Sequence, residues 1–302
     1  MSPGPDDRAR VARGFAFGAL GVVIFAMTLP MTRLAVGPAA DPQLPPAFVT
    51  AGRAAAAGLL SLAYLRIVGA ALPRRGLWPA LFVSALGTVV GFPLFLALAL
   101  RQVDAMHAAV VTGVIPLGTA IVGALATGQR PSAGFWACAV AGCALVLGYA
   151  AWQGSGRLSP ADGLLLLAVV STAFGYVAGA RASAEIPAPQ VICWILVMSL
   201  PFTLPAAWWL WPAAPASAAA WGGFAYVSLF SMWLGFFAWY HGLALGGVVR
   251  VSQVQLLQPF VAVLFAVPVL GERLDAATVF FALAVVGVVF VGRRMPVARR
   301  TA

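Results

Sequence analysis

Apolar runs of about membrane length fill this chain, separated by short breaks bearing Pro, Gly and Arg. A helix rising ~1.5 Å per residue needs about 20 apolar residues to cross a bilayer. On that measure the pattern predicts ten spans, at approximately 14–36, 46–69, 77–99, 105–127, 133–152, 161–182, 188–211, 219–242, 248–270 and 275–292. Helices are expected because lipid cannot satisfy open strand edges and the runs lack barrel-type alternation. Pro201 and Pro205 are expected to interrupt the seventh run, and Trp208, Trp209 and Trp211 to form an interfacial belt.

The pattern also repeats. Pro116 precedes Gly128-Gln129-Arg130 by twelve residues, and Pro259 precedes Gly271-Glu272-Arg273 by the same twelve, 143 residues later. Gly91-Phe92 matches Gly235-Phe236 at an offset of 144, and Phe25 matches Phe174 at 149. The expected organisation is a cytoplasmic tail 1–13, a five-helix repeat 14–152, a second 161–292 and a cytoplasmic tail 293–302. Five is odd, so the second copy must insert upside down relative to the first. Inverted repeats of this kind are built around a site at their interface, near the bilayer midplane. The pairs Gly14–Gly18, Gly87–Gly91, Gly175–Gly179 and Gly242–Gly246 mark places where helices can approach closely.

Composition excludes the soluble alternative. The chain is 62% hydrophobic and 9% charged, against the roughly one-quarter charged residues of soluble domains. The net charge of +10 does not point to nucleic acid, because the arginines sit at the ends of apolar runs and form no face. With both termini inside, thirteen arginines fall in inside segments and only Arg33, Arg101, Arg157 and Arg273 outside. That bias predicts a multi-pass protein with both termini cytoplasmic. Lys and Asn are absent while Ala, Gly and Pro abound, a usage resembling a GC-rich bacterial genome and hence a bacterial inner membrane. Met1–Arg13 is short and Arg-bearing, and the run after it exceeds the core of a signal peptide, so a retained first span is expected. Cys138, Cys143 and Cys193 lie inside apolar runs without C-x-x-C spacing, which reads as buried free Cys rather than a metal or redox site. No metal or cofactor is expected.

Specific residues then suggest a family. Leu29-Pro30-Met31-Thr32-Arg33 closing the first span, Ala51-Gly52-Arg53 in the second, and both Pro…Gly-polar-Arg units resemble EamA-type permeases of the drug/metabolite transporter superfamily. The stretch Arg250–Pro259 resembles the ninth span of that family, and the likeness covers roughly residues 14–292. The family's short motif usually reads Gly-Glu-Arg, and here the first copy has Gln129 instead. The resemblance implies ten helices, two inverted halves and a cavity lined mainly by spans one, three, four, six, eight and nine. It also implies transport of small metabolites, often export of amino acids or related solutes.

Candidate site residues follow from polarity at membrane depth. Ser252, Gln255 and Gln258 recur at helical spacing beside Pro259, and a buried amide in hydrocarbon costs several kcal/mol unless protein or water meets it. Pro259 is expected to kink the ninth span by removing a backbone donor. The repeat places Thr112 opposite Gln255. Trp233, Phe237 and Tyr240 share one face of span eight, and with Tyr176 and Trp194 they could pack or line an aromatic pocket. Arg53, His107 and His241 are the charged or titratable candidates. Arg53 is placed to snorkel outward as an anchor or to bind a carboxylate; His107 reads as interfacial and solvated; His241 reads as a shielded helix-end residue. No Asp or Glu lies in the middle of a span, so a carboxylate-based proton relay lacks its carrier. The expected function is a secondary permease that exports a small metabolite, such as an amino acid or related solute, by alternating access, with a small-molecule substrate and the lipid bilayer as partners, as monomer or homodimer. Hydrophobic drug efflux and a non-transporting membrane scaffold are the alternatives. No paired acids, His cluster or Ser/His/Asp set supports a membrane enzyme, so no catalytic residue is expected.

Overall fold

The computed structural model describes residues 5–127, 130–153, 158–183, 185–246, 254, 257–294 and 297–298. Those residues are helical apart from short connections and one two-residue antiparallel pairing, Arg130 with Ala298 and Pro131 with Val297. In chain order, α1 runs Pro5–Ala26 and continues past Met27 as Thr28–Val36. Then come α2, Pro46–Ile67, and α3, which runs from Trp78–Ser84 through a π-helical stretch Ala85–Gly91 into Phe92–Ala99. Helix α4 is split into Ala105–Thr112 and Ile115–Thr127. It is followed by α5, Ala133–Gln153; α6, Pro160–Ala182; and α7, Ala188–Trp209. Helix α8 runs Ala218–Tyr226, a π-helical stretch Val227–Leu234, then Gly235–Gly246. Last are α9, Gln258–Leu270, and α10, Ala276–Arg294.

Among the described residues, 8 helices are long and apolar enough to cross a membrane, and Gln258–Leu270 and Ala276–Val291 are shorter apolar helices. The fold is that of an all-α membrane protein. Large apolar side chains face outward along it, including Trp208 and Trp209 at 84% and 87% exposure at the C-terminal end of α7, a place where amphipathic rings favour a membrane–water interface.

Helix α1 begins at Pro5, within the segment 1–13 expected as a tail. One expectation changes. Helix α7 runs unbroken through Pro201 and Pro205. The carbonyls that the two prolines leave without an i→i−4 donor are those of Val197 and Pro201, and helices in an apolar setting tolerate such losses.

Glycine sets the closest helix contacts. A Cβ on Gly87 of α3 would sit 2.3 Å from the Ser171 carbonyl oxygen and 2.7 Å from Gly175 Cα, both on α6. A Cβ on Gly242 of α8 would sit 2.6 Å from Gly18 N of α1. The paired small residues of the sequence therefore do meet, α3 on α6 and α1 on α8, with backbones too close for any side chain.

Candidate functional site

A cavity of about 80 Å³ opens among α1, α2, α3, α4, α6, α8, α9 and α10. One buried water needs on the order of 10–15 Å³, so the space suits several waters or one small solute. Its wall carries Thr28, Arg53 and Thr88, then Thr112, Thr172, Ser231 and Gln258. The apolar part comes from Phe25, Phe92, Met232 and Phe236, with Tyr176 beside them.

Irregular backbone delivers several of these groups. Thr88 and Ser231 lie in the two π-helical stretches, and such widened turns frequently sit at functional sites. Pro116 cannot donate to the Thr112 carbonyl, and α4 breaks just before it, at Gly113 and Val114. Pro259 stands in the first turn of the described helix α9, and the expected kink upstream of it falls on residues outside the described ones. A proline fits the first turn of a helix, where its missing N–H has no intrahelical acceptor. The two prolines' helices meet here: a Cβ on Gly113 would lie 3.2 Å from Pro259 Cγ.

The lining residues also recur at one offset. Thr88 and Ser231, and Pro116 and Pro259, lie 143 residues apart; Thr28 and Thr172, and Phe92 and Phe236, lie 144 apart. Arg53 breaks the pattern, since the corresponding positions hold Leu196 and Val197.

Arg53 does not snorkel. It is 3% exposed and lines the cavity, its guanidinium turned toward Ser231 of α8. Its Nη2 donates to Ser231 Oγ at 2.9 Å, and the same oxygen accepts from Thr28 Oγ1 at 2.8 Å. Among the described residues, Arg53 Nε and Nη1 and the Thr172 hydroxyl have no hydrogen-bond partner.

Of the other sequence candidates, Thr112, Tyr176, Gln258 and Pro259 line the cavity. Trp194, Trp233 and Phe237 instead join a packing cluster beside it, with Trp233 and Phe237 centroids 5.0 Å apart and Tyr64 4.9 Å from Phe237. The π-helical stretch in α8 shifts the register assumed for a regular helix, so Phe236 faces the cavity. Phe174, matched to Phe25 in the sequence, points outward at 53% exposure. Ser252, Gln255 and the Tyr240 side chain lie outside the described residues. His241 is exposed rather than shielded, packing edge-on against Phe17 at 4.7 Å. Cys193 is buried as expected, but Cys138 is half-buried and Cys143 exposed. Among the described residues no three His, Cys, Asp or Glu side chains come together to hold a metal ion.

His107 is not solvated. It is 7% exposed, its Nε2 lies 2.6 Å from Asp162 Oδ1, and its ring packs 5.2 Å from Tyr149. Asp162 is fixed in turn by the capping box of α6, its Oδ2 accepting from Ser159 N at 2.7 Å and from Ser159 Oγ at 2.8 Å. Glu272 of the second Gly-polar-Arg unit is another residue the sequence reading undervalued. Its Oε1 and Oε2 accept from Ala105 N at 2.7 Å and Met106 N at 2.8 Å, satisfying the free N–H groups that open α4. Burial pushes the Glu272 carboxyl above its ordinary value, opposed by those two bonds. Gly271 makes the turn possible, with a φ of 69° in the left-handed region. Gln129, its counterpart, lies outside the described residues. Elsewhere Arg74 and Glu185 form a short ion pair linking the connection before α3 to the one after α6.

Comparison with known proteins agrees with this architecture. The EamA-like transporter family profile matches residues 12–150 and again 159–293. An uncharacterized transporter of Bacillus subtilis (strain 168), YdeK, is 42% identical over 289 residues, covering 94% of this chain and 98% of that protein. A solved structure described as "Crystal structure of protein" is similar with a TM-score of 0.62 at 19% identity, covering 93% of this chain and 96% of its own, a likeness that bears on the fold.

Proposed function

Because the chain belongs to the EamA-like transporter family, we propose that it exports a small polar or amphipathic metabolite by alternating access around this cavity. It is a multi-pass membrane transporter. We place it in a bacterial inner membrane with both termini cytoplasmic, on the arginine bias of its loops. In this reading ten spans form two inverted halves, 14–152 and 161–292, that rock against each other.

The observation that carries the proposal is the cavity itself, whose polar wall is drawn from both halves of the chain. The inverted-repeat arrangement is supported by the lining residues recurring at 143 and 144, by π-helical stretches starting at Ala85 and Val227, and by the family profile matching twice. Seven polar side chains in the wall favour a polar metabolite over a purely hydrophobic drug. No catalytic role is assigned.

Proteoliposomes holding the full chain test this. Counterflow of a panel of amino acids and small organic acids, with and without a pH gradient, should yield saturable exchange of at least one solute. Gln258→Ala and Thr112→Ala should each slow it by about 3- to 10-fold, the worth of a hydrogen bond. No saturable flux, or flux unchanged in both variants, sinks the proposal. A C-terminal reporter found in the periplasm would overturn the topology.

A further inference from the structure

We propose that Arg53 is the docking point for a carboxylate on the transported solute, and that this solute carries no compensating positive charge. The inference deepens the transport reading above and rests on it. A cation at membrane depth is costly unless something neutralises it. Arg53 is 3% exposed, yet only its Nη2 is engaged, by a neutral hydroxyl. Arg53 lines the cavity, and its Nε and Nη1 are buried with no partner among the described residues. Among the described residues, none that lines the cavity is Asp or Glu. The buried or half-buried acids that could have served are committed elsewhere, Asp162 to His107 and Ser159, Glu272 to the N-terminus of α4. Thus the protein supplies one half of an ion pair and leaves the other to a ligand.

The chemistry of the ligand follows from the groups present. Guanidinium presents planar donors matched to the two oxygens of a carboxylate. Thr172, whose hydroxyl is also unpartnered, supplies a further polar contact in the same cavity. Phe25, Phe92, Met232 and Phe236 offer an apolar surface for the body of the solute. An ammonium group would find no lining carboxylate. The site therefore favours an organic acid over the zwitterion of the same skeleton, and that over an amine. The repeat sharpens the point: the polar pairs Thr28 with Thr172 and Thr88 with Ser231 are neutral, Arg53 is matched by apolar Leu196 or Val197 at the same offset, and among the described residues it is the one charged group in the wall.

The test is titration calorimetry on the detergent-solubilised full chain with 3-phenylpropionate, its neutral amide, phenylalanine and phenethylamine, with hexanoate as an acid lacking a ring. Expected is binding of 3-phenylpropionate at least ~10-fold tighter than the amide, with phenylalanine between acid and amine. Arg53→Gln should erase the preference for acid over amide, and Arg53→Lys, which keeps charge but loses the fork, should retain part of it. Equal binding of acid and amide overturns the proposal, as does acid preference persisting in folded Arg53→Gln. So does the lack of acid preference with both acids at concentrations up to about 10 mM. Should Arg53→Gln fail to fold, the acid-against-amide comparison on the unaltered chain decides. The transport reading fails separately: acid-selective binding through Arg53 with no flux in liposomes rejects transport and keeps this site. Flux confined to neutral or cationic solutes, unaltered by Arg53→Gln, does the reverse.

Discussion

Arg53 and His107 are both polar and both buried inside the same helical bundle, and they are built in opposite ways. His107 meets an aspartate at 2.6 Å, and that aspartate is itself held by the capping box of α6. Arg53 meets one hydroxyl and leaves two nitrogens without partners among the described residues. A buried group whose counterpart is supplied by the fold contributes to the fold. One whose counterpart is missing stores an unmet interaction that a solute can satisfy. The two sites separate holding the bundle together from recognising its cargo.

The sharpest way to break that contrast is to remove the counterpart where one exists. Asp162→Ala deprives His107 of its partner and removes the carboxylate half of the capping box that opens α6. Losing one member of a buried pair costs about 3–5 kcal/mol, so thermal melting in detergent should fall by many degrees while flux per folded molecule changes little. Normal melting of Asp162→Ala would mean that the pair is not structural.

Arg53→Gln is expected to do the opposite. Relieving a buried, uncompensated charge offsets the lost bond to Ser231, so melting should stay level or rise, by about 1 kcal/mol at most. Transport of the cognate solute should meanwhile drop by roughly 10- to 100-fold. A melting loss as large as that of Asp162→Ala would collapse the comparison, because Arg53 would then be holding the fold.

Much of the fold was legible because bilayer thickness dictates the length of an apolar run, and Pro116 and Pro259 did mark irregular helix starts. Thr112 and Gln258 were legible as polar groups at depth and Tyr176 as an aromatic candidate, and all three line the cavity. What failed was rotation. In a nearly uniform apolar run, nothing in the sequence says which side faces protein, and the π-helical stretch of α8 moves Phe236 rather than Phe237 to the cavity. The hydroxyls Thr28, Thr88, Thr172 and Ser231 went unremarked, although their spacing of 143 or 144 was there to be read. Contacts such as His107 with Asp162 join positions 55 residues apart on different helices, and no local pattern encodes them.

Glu272 lies between the two extremes and gives the smallest effect. Its carboxylate is half-buried and held by two backbone N–H groups, with Asp104 and Arg33 as the charged residues nearest in influence. Burial raises its pKa above the ordinary 4.5, the repulsion of Asp104 adds to this, and the two bonds and Arg33 oppose it. A carboxyl with a raised folded pKa binds its proton more tightly in the folded state, so folding takes up a proton between 4.5 and the raised value. Its contribution to stability is full below 4.5 and is lost as pH rises through that window. Glu272→Gln, which gives the second copy the residue the first carries at Gln129, should flatten this part of the melting-temperature profile and leave the rest unchanged. The same slope in the variant would show that Glu272 is held too firmly by α4 to titrate there, which would place it with Asp162 as a fixed partner.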